Sequence, residues 1–176
     1  MSFRFIVLAA ALALYGASFA ELAAAQGQGQ GRSTAVSAAF VDASGQTIGA
    51  AEFSETNEGV IVTASLQPVP SGRYVMRVHV NGVCEGPDFA SAGAPFNPFD
   101  RAADRLNPLA SPAGGASNIS VGTDGAVRAA TLLRDVTLRP GPASLNRRSG
   151  TSLIVAERAA QGDGRRIACA VISAGG

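Results

Sequence analysis

The sequence predicts an all-β domain, an antiparallel sandwich or Greek-key barrel. Three observations carry this. From residue 35 onward, short β-type runs alternate with Gly, Asn, Asp and Ser turn residues. No segment beyond the first 25 residues sustains a 3.6-residue apolar period. One run, Arg73 to Asn81, alternates cleanly: Tyr74, Met76, Val78 and Val80 share a core-facing side, with Val75, Arg77 and His79 on the other.

The first run is Ala35 to Asp42, closed by the turn pair Ser44-Gly45, and the second is Thr47 to Phe53. Val60 to Leu66 alternates apolar with small or polar residues, and Arg73 to Asn81 follows. Asn118 to Val121 and Val127 to Leu133 flank Asp124-Gly125, a hairpin signal. Val136 to Leu138 reads as a short strand, and Ser152 to Val155 and Ile167 to Ile172 as buried ones, for a total of eight or nine. Residues 82–117 hold no convincing strand. They carry five prolines together with Phe89, Phe96, Phe99, Leu106 and Leu109, a composition that predicts a packed functional loop.

Ahead of the domain, residues 1–25 read as a secretory signal. Arg4 gives the positive start, Phe5 to Leu14 the apolar run, and small residues the exit, with cleavage fitting after Ala20 or Ala25. The run is shorter than the ~20 residues of a spanning helix, so no membrane attachment is expected after cleavage. Residues 26–34 read as a Gly/Gln-rich linker and 35–176 as the folded domain. Export predicts a periplasmic or secreted destination, where the only two cysteines, Cys84 and Cys169, would join as a disulfide.

Composition excludes several chemistries. Fourteen basic against thirteen acidic residues leave no basic excess for nucleic acid. Every basic residue is Arg, so no lysine Schiff base or P-loop exists. The chain has one histidine, which rules out a metal site built mainly from imidazoles.

Three motifs then become specific. Pro87-Asp88-Phe89-Ala90-Ser91-Ala92-Gly93-Ala94-Pro95-Phe96-Asn97-Pro98 resembles the metal-loop signature PDFxSAGxHFNP of bacterial Cu/Zn superoxide dismutases. Arg166-Ile167-Ala168-Cys169-Ala170-Val171-Ile172 is similar to their RIACGVI, and the run from Arg77 and His79 to Gly82-Val83-Cys84 resembles HGFHVHExGxC. The resemblance spans about residues 35–173 and implies an eight-stranded antiparallel Greek-key barrel. It also implies where copper and zinc ligands would fall. The copper histidines map to Arg77, His79, Pro95 and Ala156, with Pro95 at the bridging position. The other zinc ligands map to Ala103, Pro112 and Gly115, so His79 alone is retained. The stretch between Ala156 and Arg166, where the family carries its electrostatic loop, is also short.

The expectation is therefore a superoxide dismutase-like domain with no catalytic residues, no copper or zinc cofactor and a binding or structural role. An atypical copper-dependent dismutase, and a copper carrier using His79 as a residual metal contact, are the alternatives. His79 reads as a partly exposed polar residue on an outward strand face, and Met76 as core packing. Arg166 matches the family's anion-guiding arginine. With Arg77 at a former copper position on the same face, the two are candidates for binding a small anion or a partner's carboxylate; the rival is Arg77 pairing with Glu157 or with another acid on the surface. Arg147-Arg148 and Arg165-Arg166 read as solvated loop charges. An unknown protein or a small anion is the expected partner, and a homodimer is compatible with the fold.

Overall fold

The alternation in Val60, Val62, Ala64 and Leu66 is realised directly: all four are buried, while Ile61, Thr63 and Ser65 between them face out. The same rule builds eight strands in the computed structural model, which describes residues 35–100, 115, 117–160 and 163–173. They are β1 (Ala35–Asp42), β2 (Thr47–Thr56), β3 (Gly59–Leu66), β4 (Gly72–His79), β5 (Ser117–Val121), β6 (Val127–Leu133), β7 (Thr151–Arg158) and β8 (Asp163–Ile172). One 3-10 turn, Ala90–Ala92, is added in the loop after β4. Among the described residues no helix is long and apolar enough to cross a membrane. The predicted export segment and linker, with Leu106 and Leu109, lie outside the described residues.

All strand pairs are antiparallel, in the order β5-β4-β7-β8-β1-β2-β3-β6, which nearly closes a Greek-key barrel. Phe40, Phe53, Met76, Leu153 and Ile172 are fully buried in its interior. Each such side chain contributes about 1.5–3 kcal/mol on burial.

Two expectations are corrected. Asp124-Gly125 does form a turn, with Gly125 at φ 65° and its N–H donating to the Gly122 carbonyl at 3.2 Å. It does not make a hairpin: β5 pairs with β4 and β6 with β3, at opposite ends of the strand order. A turn sequence dictates local chain reversal and leaves the pairing partner to the larger sheet. Val136–Leu138 is not a strand either; the segment makes one isolated bridge, Thr137 to Ser144. Glu55 holds it there, accepting from Thr137 Oγ1 at 2.8 Å and from the Leu138 N–H at 2.5 Å. This delivers Val136 and Leu138 into the core as loop residues.

The crossover from β3 to β4 is tied by Tyr74, whose hydroxyl donates to the Pro70 carbonyl at 2.8 Å, a tyrosine corner. Burial, aided by the Glu157 carboxylate, raises the Tyr74 phenol above its ordinary range. A folded-state pKa above the unfolded one means the phenol's contribution is complete below about pH 10 and is lost as pH climbs through the folded value. Urea titrations of the parent should show stability falling above about pH 10. Tyr74→Phe should lower stability by about 1 kcal/mol at neutral pH and show a shallower alkaline fall. Parallel alkaline curves for the two proteins would discount Tyr74 as the titrating group.

Candidate functional site

The outward face of β4 carries Val75, Arg77 and His79 in alternation. Register places Ala156, Ile154 and Ser152 of β7 beside them in that order. Arg166, Cys169 and Val171 of β8 lie beyond those three. Ordinarily this face would meet water. Here the chain after β4 folds back across it, and Phe89 and Ala92 pack on Val75, Ile154, Ala156 and Cys169 as a second, smaller apolar cluster. His79 is consequently 1% exposed, which corrects the expectation of a partly exposed residue. Period-two alternation separates two faces; it does not say that the second one stays uncovered.

Several fastenings hold this cover. Cys84 and Cys169 form a disulfide with Cα atoms 5.7 Å apart. Asn81 Nδ2 donates to the Ser91 carbonyl at 2.9 Å, and Ser91 Oγ accepts from the Glu85 N–H at 2.9 Å. Asp88 Oδ1 accepts from the Ala90 N–H at 3.0 Å, starting the 3-10 turn. Gly93 follows at φ 75°, where an added Cβ would lie 2.8 Å from Asn81 Nδ2, so glycine is required on both counts.

The Gly93 carbonyl is the point where the strand face and the loop meet. His79 Nδ1 lies 2.8 Å from it. A carbonyl only accepts, so Nδ1 carries the proton. Arg166 Nη2 donates to the same oxygen at 3.3 Å, and its Nη1 donates to the Phe89 carbonyl at 2.6 Å. Phe89 sits at φ 53°, a left-handed conformation rare for an aromatic residue, held by this bond and by full burial of its ring. The structure thus brings His79 and Arg166 to one acceptor. Arg77 lies on the same face, half-buried, two residues from His79. Glu157 is opposite Tyr74 in register, on the other face of the ladder from Arg77, and its carboxylate takes Arg165 at 2.6 Å.

Pro95 closes the site, forming a β-bridge with His79 while the Phe96 N–H donates to the Val78 carbonyl at 2.8 Å. Arg147 was expected in solvent. Instead it is half-buried, its guanidinium 5.0 Å over the Phe96 ring and bonded to the Val80 carbonyl. Only its neighbour Arg148 is exposed. Sequence reasoning missed both Arg147 and the Gly93 carbonyl, because their partners are distant in the chain and a backbone carbonyl has no residue-type signature. Among the described residues, no group of three or more His, Cys, Asp or Glu is placed to hold a metal ion. Ala103 and Pro112 lie outside the described residues.

Comparison with known proteins agrees with this architecture. The family model for copper/zinc superoxide dismutase matches residues 47–172. Superoxide dismutase [Cu-Zn] 2 of Aquifex aeolicus is 34% identical over 175 residues, covering 94% of this chain and 96% of its own. A superoxide dismutase-like protein of Bacillus subtilis is 31% identical over 144 residues, covering 76% and 73%. A crystal structure of a SOD-like protein from Bacillus subtilis superposes with a TM-score of 0.70 at 27% identity, over 77% of this chain and 97% of that one.

Proposed function

The chain belongs to the copper/zinc superoxide dismutase family, and on that premise we propose that it is an exported member without dismutase activity, serving as a binding or structural module. The observation that carries this is the donor-free lining of the covered site: Pro95 lies across a β-bridge from His79, and Ala156 lies on the neighbouring strand. Dismutation requires a metal that alternates between two oxidation states, and no amino-acid side chain substitutes for it. Carried over from the family motif, the copper positions are Arg77, His79, Pro95 and Ala156. Proline and alanine side chains have no donor atom, and a guanidinium stays protonated and donates only. One imidazole forfeits the chelation that holds Cu(II) or Zn(II). The residues present do not fit either metal.

Export to the periplasm or medium is supported by the N-terminal pattern of Arg4, apolar run and small-residue exit. The disulfide fits an oxidising compartment.

The test is metal counting. The purified chain is loaded with copper and zinc, dialysed, and assayed for atoms per chain by mass spectrometry, with superoxide turnover measured alongside. The expected result is far less than one copper per chain and no turnover above buffer. One tightly held copper with turnover overturns the proposal. One copper without turnover, lost in His79→Ala, replaces it with the carrier reading.

A further inference from the structure

An open groove of about 900 Å³ lies beside the covered face, at the junction of the β1–β2 turn, the β3–β4 crossover, the loop at 87–90 and the start of β8. Its apolar lining includes Ile48, Val69 and Ile167, all packed against the barrel core. Pro68, Pro70 and Pro87 add walls whose φ angles are fixed by their rings. The groove is therefore formed before anything binds, which removes an ordering cost from association.

Its charges are of both signs. The Arg165 side chain is 69% exposed, and its partner Glu157 is 42% exposed, so the pair is a weak surface one that a stronger acceptor can displace. Asp42 and Asp88 supply the negative charge. The hydrogen bonds to Asp42 from Ser44 and Gln46 all fall on Oδ1, and the one to Asp88 from Ala90 falls on its Oδ1. Among the described residues these bonds leave each Oδ2 unused, and the Ser44 hydroxyl above all holds the Asp42 carboxyl below the ordinary carboxylate range.

We infer that this groove binds an extended peptide segment in which apolar residues lie between a basic and an acidic one, the acid meeting Arg165 and the base meeting Asp42 and Asp88. Charge complementarity selects this occupant: lining of both signs around an apolar centre is matched neither by a simple anion nor by a purely apolar chain. The inference rests on the reading of the protein as a binding module and names that module's partner class.

The probe is the acetylated, amidated peptide Lys-Leu-Pro-Leu-Glu, titrated into the 15N-labelled chain and followed by amide chemical shifts. The control peptide has Gln in place of both Lys and Glu. Saturable shifts confined to Ile48, Val69, Gly164 and Arg165 are expected, with binding weakened about tenfold for the control and for Arg165→Glu. Arg165 is exposed, so this variant keeps the fold, and an unchanged amide spectrum elsewhere checks it. Absence of saturable shifts at millimolar peptide overturns the inference, as does equal binding by the control. Metal counting on the same preparation keeps the two readings separate, since copper with turnover would overturn the proposed function without moving these shifts.

Discussion

Replacing both bridging cysteines, Cys84→Ser with Cys169→Ser, is expected to lower stability by about 4 kcal/mol. The bridge spans 85 residues, more than half of the folded domain. Closing a loop of that length restricts the unfolded chain by about 4–5 kcal/mol in the chain-entropy model. It also ties the loop after β4 to β8, the strand that contributes Arg166 to the same cover. Cys169 is fully buried, so a serine hydroxyl there adds a desolvation cost of about 1–3 kcal/mol unless it finds a partner. Urea unfolding of parent and double variant measures the difference. The melting temperature should fall by roughly 8–16 °C at about 2–4 °C per kcal/mol. A loss under about 1 kcal/mol would mean that packing and the arginine bonds hold the loop without the bridge.

Phe89→Ala is expected to cost about 3–5 kcal/mol. The ring is completely buried and packs in the cluster with Val75, Ile154, Ala156 and Cys169. Truncating it leaves a cavity between loop and sheet, and the left-handed backbone at this position stays as demanding for alanine as for phenylalanine. The same change uncovers the face that carries His79. Urea unfolding gives the energy, and diethyl pyrocarbonate gives the access: the parent's only histidine should react slowly and the variant's faster. Equal stability and equal reactivity would show that Phe89 is not what seals the site.

How far the sequence is readable varies by element. Tyr74, Met76 and Val78 declare their inward side through simple alternation, and all three are buried in the main core. β1 and β6 begin and end at the residues their patterns predict. β8 starts four residues earlier than its apolar run, at Asp163. That extension carries Arg165 and Arg166, whose side chains give no apolar signal. The disulfide was legible from the cysteine count together with the export that the N-terminal pattern predicts. Within the site, His79 and Arg166 were identified by motif, yet their environment was not. Arg166 reaches a carbonyl 77 residues away, and no local pattern encodes which one.

The all-β class, most of the strand positions, the cysteine pairing and the family follow from the amino-acid sequence, because each depends on neighbouring residues or on residue identity. Tertiary structure decided that β5 and β6 stay unpaired with each other, that the outward face of β4 is covered, and that His79 and Arg166 share the Gly93 carbonyl. The reason is physical. Side-chain alternation follows from bonds between adjacent residues, whereas burial and hydrogen-bond partners depend on which distant segment packs against them.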